Sequence, residues 1–135
     1  MLHLDTSFVV DLLRETARGR PGGALDFMET LDDDEILAVS VHVVCELRAG
    51  AELARQPLGE HEMLDRLLSG LLVVHPGDSF AGVYARTLAA TRRTNHRLSA
   101  VDLLIATAAL IDDAPLVTRN VKDFSRVPGL RVLRY

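Results

Sequence analysis

Short apolar runs alternate along the whole chain with longer segments whose apolar residues recur at helical spacing. The predicted strands cover residues 2–4, 36–39, 71–75, 116–118 and 130–133. The predicted helices cover residues 8–13, 24–31, 41–53 in two parts around Gly50, 58–68, 79–93 and 101–111, with a short one within 119–124. Strands that alternate with helices and lack polar alternation predict an α/β fold with a parallel sheet covered on both faces. Ligands of such sheets bind beyond the carboxyl ends of the strands, where the strand order reverses.

The 135 residues, 48% of them hydrophobic, predict a single domain over residues 1–135 with a core of its own. The one cysteine, Cys45, excludes a disulfide within the chain and is interpreted as a core residue. Cysteine and histidine spacing excludes a zinc module. Without a basic leader or an apolar run of roughly 20 residues, we expect a cytoplasmic protein with no membrane segment.

The formal net charge of -4 argues against a nucleic-acid binder held by overall charge alone, but does not exclude one. All fifteen basic residues except Lys122 are arginines, whose planar guanidinium suits phosphate better than an ammonium does. A GC-rich coding sequence produces the same bias with no function attached. The charge balance therefore leaves the class of partner open.

Four acidic residues follow predicted strands or begin the helices beside them. Asp5 ends the first strand, Glu46 lies on the helix after the second, Asp102 opens the helix before the fourth, and Asp123 follows the fourth. Because the carboxyl ends of parallel strands meet at one edge, these four carboxylates are expected to converge.

Each acid also has a purely structural interpretation. Asp5, Asp102 and Asp123 stand at helix starts, where short acidic side chains act as caps or complement the helix dipole, and residues 99–102 fit the capping-box pattern. Glu46 lies on or beside the apolar face of its helix, where an unpaired carboxylate is costly. Its partner is then an arginine from another segment or a bound cation.

Several carboxylates at one sheet edge repel each other, and a hard divalent cation with oxygen ligands relieves the repulsion. Magnesium or manganese suits such a site. Either ion polarises a phosphoryl oxygen and activates water near neutral pH, so the chemistry indicated is phosphodiester hydrolysis.

Four motifs in this order connect the chain to a known family. They are LDTSF at residues 4–8, CELRAG at 45–50, VDLLIATAAL at 101–110 and LVTRNVKDF at 116–124. Each is weak alone, but the set at these separations is highly specific. The chain resembles the PIN-domain ribonucleases, and most closely the VapC toxins of bacterial VapBC toxin–antitoxin pairs.

The resemblance implies a three-layer α/β/α fold and Mg²⁺- or Mn²⁺-dependent endonucleolytic cleavage of RNA. It further implies inhibition by a cognate VapB-type antitoxin and a homodimeric toxin. Carried over by motif, the catalytic metal site falls on four acids, with supporting polar residues beside them: Asp5, Glu46, Asp102 and Asp123, supported by Thr6, Ser7 and Asn120. Many relatives carry a further acid where this chain has Ser99, so one metal ion is expected rather than two.

Five arginines are candidates for contacts with the RNA backbone, although each also suits a solvated surface: Arg48, Arg92, Arg93, Arg97 and Arg119. The helices at residues 24–31 and 58–68 are candidate dimer surfaces. Two alternatives are non-enzymatic, namely a receiver-like domain and a catalytically silent PIN-like domain that acts as a protein-binding module. A third alternative, a phosphotransfer enzyme of the aspartyl-phosphate type, normally has a second aspartate two positions after the first, where this chain has Ser7. A receiver needs adjacent acids after its first strand and an aspartate after its third, and Asp78 is poorly placed for that role.

Overall fold

Five short parallel strands form the central sheet of the computed structural model, which describes residues 1–135. The strands are β1 (Leu2–Leu4), β2 (Leu37–Ser40), β3 (Leu72–Val74), β4 (Leu116–Val117) and β5 (Val132–Leu133). Their spatial order is β3-β2-β1-β4-β5, so β1 is central and its neighbours are β2 and β4. The order reverses between β1 and β4. A receiver-like sheet has the order 2-1-3-4-5 instead, so the receiver-like alternative does not fit this chain.

Seven helices flank the sheet and give the predicted three-layer α/β/α fold. They are α1 (Thr6–Arg18), α2 (Gly23–Glu29), α3 (Val41–Glu52), α4 (Pro57–Leu68), α5 (Phe80–Arg93), α6 (Ala100–Ile111) and α7 (Val121–Phe124). Ser40 caps α3 as its position predicts, because its hydroxyl accepts a hydrogen bond from the Val43 amide. None of the helices combines the length and the hydrophobicity that crossing a membrane requires.

Most element boundaries shift by one or two residues from the sequence prediction, and three differences stand out. Helix α1 is longer than expected and ends only at Gly19, which adopts the left-handed conformation with φ of 61°. Gly50 does not divide α3, which is continuous from Val41 to Glu52. An interior glycine costs a helix only about 1 kcal/mol, and the packing of Leu47 and Ala51 in the core outweighs that cost. Strand β5 is limited to Val132 and Leu133.

The hydrophobic core joins β1 and β4 to the inner faces of α1, α3 and α6. Phe8 and Val9 on α1 are fully buried, as are Leu116 and Val117 on β4. The interpretation of Cys45 as a core residue is wrong, because this side chain is exposed. Helix α3 turns Val43, Leu47 and Ala51 toward the core, and Cys45 lies outside that stripe.

The last residue of the chain is tied to the first helix. The Tyr135 hydroxyl donates a hydrogen bond to Asp11 Oδ2 at 2.8 Å, and its ring packs edge-on against Phe8 with centroids 4.8 Å apart. Burial and the neighbouring Asp11 carboxylate raise the pKa of Tyr135 from 10.0 to about 12. The C-terminus therefore closes over the α1 side of the core.

Substitution Phe8→Ala is expected to lower the free energy of unfolding by about 3–5 kcal/mol, because it empties a fully buried site between Phe27 and Tyr135. Ile36→Ala, at a side chain 53% exposed, is the control and should lower it by only about 1 kcal/mol or less. Urea unfolding measures both. Equal losses in the two variants would contradict the assignment of Phe8 to the core.

The raised pKa of Tyr135 predicts a loss of stability in alkali. The folded state holds the Tyr135 proton more tightly than the unfolded state, so this contribution is complete below pH 10 and disappears as the pH rises toward 12. Tyr135→Phe should make unfolding less dependent on pH across that interval. Tyr84→Phe is the matched control, since the Tyr84 hydroxyl makes no hydrogen bond. An unchanged pH slope in Tyr135→Phe would show that the tyrosine is not held in this way.

Candidate active site

The crevice between the carboxyl ends of β1 and β4 is the switch point of the sheet, where the strand order reverses. Asp5 directly follows β1, and Thr118 directly follows β4. The Asp5 amide donates a hydrogen bond to the Val117 carbonyl at 3.0 Å. This bond holds the residue that follows β1 against the last residue of β4. The structure thus places the first predicted site residue where ligands of such sheets bind.

Asp5 is a buried carboxylate held by two hydroxyl groups. Only 5% of it is exposed, and its Oδ2 accepts hydrogen bonds from Ser7 Oγ at 2.8 Å and Thr118 Oγ1 at 2.6 Å. Asp5 occupies the N-cap position of α1, but its side chain makes no capping hydrogen bond. The cap interpretation is therefore wrong for Asp5, whose carboxylate is directed to the crevice residues instead.

Glu46 lies on α3 with its carboxylate exposed, so of the two expected positions, on or beside the apolar face, the structure shows the second. The core-facing stripe of α3 is formed by Val43, Leu47 and Ala51, which leaves Glu46 on the flank of the helix. No arginine pairs with it. Instead Glu46 Oε2 accepts a short hydrogen bond from Thr6 Oγ1 at the start of α1.

Asp102 lies in the first turn of α6. The N-cap residue of this helix is Ser99, whose hydroxyl accepts a hydrogen bond from the Asp102 amide at 3.1 Å. Burial is the largest cause that raises the pKa of the Asp102 carboxyl, and its hydrogen bond with Ser99 opposes the rise. The negative charges of Asp5, Glu46 and Asp123 raise this pKa further. The four predicted acids are therefore close enough to repel one another, and we call them the acidic cluster.

Asp123 belongs to α7, the short helix after β4. Its Oδ2 accepts a hydrogen bond from Asn120 Nδ2 at 3.0 Å, and the Asn120 amide in turn donates to Thr118 Oγ1 at 3.0 Å. Asn120 makes no side-chain cap to α7. Its side chain orients Asp123 and its backbone is anchored to the residue that also holds Asp5.

The polar residues predicted as supports each touch one acid of the cluster. Thr6 contacts Glu46, Ser7 contacts Asp5, and Asn120 contacts Asp123. Thr118, which is fully buried and donates to Asp5, was not among the predicted site residues. The sequence feature that could have identified Thr118 is its position directly after a buried strand. A hydroxyl there needs a hydrogen-bond partner from another part of the chain.

The carboxylates are near each other but do not converge on one point. No group of three or more His, Cys, Asp or Glu side chains is arranged to hold a metal ion. Asp5 and Asp123 are directed to their own hydroxyl or amide partners, as is Glu46. The donor set is nevertheless entirely carboxylate oxygen, which is the chemistry that Mg²⁺ and Mn²⁺ prefer.

The five candidate RNA-binding arginines fall into two groups. Arg48 donates to Asp65 Oδ1 at 2.5 Å, and Arg119 donates to Asp11 Oδ2 at 2.8 Å, so both guanidinium groups are engaged within the protein. The others lie at the end of α5 and in the connection to α6, and none forms an ion pair: Arg92, Arg93 and Arg97.

Comparison with known proteins places this geometry in a family. The PIN domain model matches residues 2–130. Ribonuclease VapC19 of Mycobacterium tuberculosis is 33% identical over 129 residues, which cover 95% of each chain. Ribonuclease VapC2 of Rickettsia felis is 28% identical over 127 residues, which cover 94% of this chain and 92% of that protein.

A solved structure agrees in fold over the full length. VapBC2 from Rickettsia felis, bound to a DNA fragment from its promoter, matches with a TM-score of 0.90 and 26% identity. The match covers 100% of this chain and 99% of the other. Sheet order, the match to the family model and the identity to named ribonucleases lead to one conclusion: the chain belongs to the PIN-domain family, with VapC ribonucleases among its relatives.

Proposed function

We propose that this protein is the toxin of a type II toxin–antitoxin pair and an endoribonuclease that depends on Mg²⁺ or Mn²⁺. The observation that carries the proposal is the grouping of four carboxylates around the switch point, where the charges of Asp5, Glu46 and Asp123 add to the rise that burial causes in the pKa of Asp102. Its relatives named ribonuclease VapC support the same activity. The whole chain, residues 1–135, would act as one PIN domain.

The acidic cluster would hold the cation through Asp5, Glu46 and Asp102, directly or through water. These side chains have to move toward one another, and their mutual repulsion opposes that movement until a positive charge is present. A bound divalent cation supplies polarisation of a phosphoryl oxygen and a lowered pKa of water. Because Ser99 serves as an N-cap and supplies no carboxylate, we propose one cation rather than two.

The remaining groups orient the reactants. Asp123, fixed by Asn120, completes the site or orients the attacking water. Thr6 holds Glu46, and the hydroxyls of Ser7 and Thr118 hold Asp5. Hydrolysis then breaks one P–O bond of the RNA backbone as water adds to phosphorus.

Two adjoining depressions support a VapB-type antitoxin as the partner. One, of about 520 Å³, lies between α1 and α4 and is largely apolar, with Leu12 and Leu67 in its wall. The other, of about 380 Å³, contains Glu46. Leu13 lines both, so an apolar partner segment that enters the first reaches the acidic cluster through the second. We propose that occupation of this groove inhibits the enzyme.

We also propose a homodimer and a cytoplasmic location. Leu53 and Leu58, 88% and 75% exposed, form an apolar surface where α3 passes into α4, and such a surface favours association. Leu58 begins the segment 58–68, which the sequence suggested as a candidate dimer surface. The RNA substrate is found in the cytoplasm, which supports that location.

Asp5→Asn is expected to reduce manganese-dependent cleavage of a structured RNA pool by at least about 100-fold, because it removes a cation ligand and leaves the fold intact. Gel analysis of the RNA with manganese, and with EDTA, measures the loss. Asp33→Asn is the matched control, since Asp33 is exposed and forms no ion pair. Wild-type activity in Asp5→Asn, purified identically, would remove Asp5 from the site.

Manganese is expected to raise the melting temperature of the wild-type protein, because an ion that binds only the folded state stabilises it by about 2.7 kcal/mol at 100 times its dissociation constant. The gain should shrink as the pH falls, since the raised pKa of Asp102 means that protons compete with the cation. Asp102→Asn should lose most of the gain, and Asp33→Asn none. A thermal shift equal in all three proteins would place the bound ion elsewhere.

A further inference from the structure

A depression of about 380 Å³ lies between the end of α5 and the start of α6, outside the acidic cluster. Leu103 and Thr91, each 1% exposed, line its buried part. Arg92, Asn95 and Arg97 line it as exposed residues. We call it the α5–α6 pocket. Three leucines and five polar or charged residues line this concave site, and a cavity that combines apolar surface with polar groups can hold a ligand.

The α5–α6 pocket borders the acidic cluster. Leu103, in its lining, is the residue next to Asp102, and both belong to the first turns of α6. The lining runs from Thr91 on α5 through the α5–α6 connection to Leu103, so the pocket lies at the end of α6 that carries Asp102. A substrate bound at the acids is therefore a neighbour of this pocket.

The rim of the pocket carries positive charge that no acidic side chain compensates. Arg92, Arg93 and Arg97 form no ion pair, whereas Arg48 and Arg119 do. The dipole of α5 accounts for arginines in its last turn, but Arg97 lies beyond the helix. Guanidinium groups match the geometry of phosphate oxygens. The charge at the rim therefore favours the phosphate backbone of a nucleic acid as the partner.

Asn95 adds a group suited to a base edge. It adopts the left-handed conformation with φ of 58°, and its backbone amide donates to the Arg92 carbonyl at 3.0 Å. Its side-chain amide makes no hydrogen bond within the protein and lines the pocket. An amide that both donates and accepts can pair with the edge of an unstacked base, which is how proteins recognise single-stranded RNA.

We propose that the α5–α6 pocket binds one unstacked nucleotide of single-stranded RNA, with Arg92 and Arg97 on its phosphates and Asn95 on its base edge. The inference rests on the proposed ribonuclease function and deepens it, because it assigns a position that selects the nucleotide beside the cleavage site. The pocket volume is at the small end of the range for ligand sites, about 300–1,000 Å³, and suits one nucleotide.

The test measures RNA binding without cleavage. Fluorescence anisotropy of a labelled single-stranded RNA in EDTA compares the wild type with Arg92→Ala/Arg97→Ala. We expect at least about tenfold weaker binding, and a salt dependence whose logarithmic slope falls by about 0.7 for each phosphate that the variant no longer neutralises. The matched control is Arg18→Ala/Arg20→Ala, which removes the same charge from unpaired arginines at the far end of α1.

A second variant tests the base contact. Asn95→Gly removes the amide and keeps the left-handed conformation free of strain. The ratio between the strongest-bound and weakest-bound of four homopolymeric RNAs should fall by roughly fivefold or more. An unchanged ratio would overturn the role of Asn95.

The outcomes separate this proposal from the ribonuclease itself. Wild-type cleavage together with unimpaired RNA binding by Arg92→Ala/Arg97→Ala would overturn the pocket and leave the nuclease standing. Equal loss in the Arg18→Ala/Arg20→Ala control, or no RNA binding by the wild type, would also overturn it. Weaker binding by the pocket variant supports the pocket even if Asp5→Asn still cleaves RNA. Light scattering completes the test, since a changed oligomeric mass in the pocket variant would make this surface a protein interface instead.

Discussion

Repulsion between like charges at one edge of a parallel sheet is the constraint around which this structure is arranged. The central position of β1 brings Asp5 beside the end of β4, and α3, α6 and α7 add one carboxylate each. Burial is the largest cause of the raised pKa of Asp102, and the charges of the other three carboxylates raise it further. A fold that served stability alone would not collect four carboxylates at its switch point.

The chain offsets this repulsion with neutral hydrogen-bond donors and not with cationic side chains. Ser7 and Thr118 hold Asp5, Thr6 holds Glu46, and Asn120 holds Asp123. An arginine in the same place would neutralise the site permanently. Hydroxyl and amide partners fix the orientation of each carboxylate and leave its charge available to a cation.

The sequence was sufficient where a feature depends on residues near one another in the chain. Apolar periodicity placed β1 and α6 within one residue of their observed starts, and Ser40 and Ser99 cap the helices that follow them. Asp5, Asp102 and Asp123 were found because each stands at a strand end or helix start, and Glu46 because it lies on or beside the apolar face of its helix. Sheet polarity then predicts their common edge.

Features that depend on distant partners were not predictable from sequence. Thr118 supports Asp5 across 113 positions of the chain, and the Tyr135 hydroxyl reaches Asp11 across 124. The fully buried His3 is paired with Asp112 at 2.7 Å, which an apolar run at the N-terminus does not reveal. Whether Glu46 lies on or beside the apolar face stayed open, because helical periodicity gives the direction of the core only to within the width of the apolar stripe.

The most direct test of the central claim, that the acidic cluster is a cation site for RNA hydrolysis, is a crystal structure of the protein soaked in manganese. The account predicts one anomalous scattering peak among Asp5, Glu46 and Asp102, with the Glu46 side chain moved away from Thr6. An acidic cluster that stays empty at saturating manganese would contradict this assignment. A manganese ion found only at another site, such as beside His3 and Asp112, would contradict it as well.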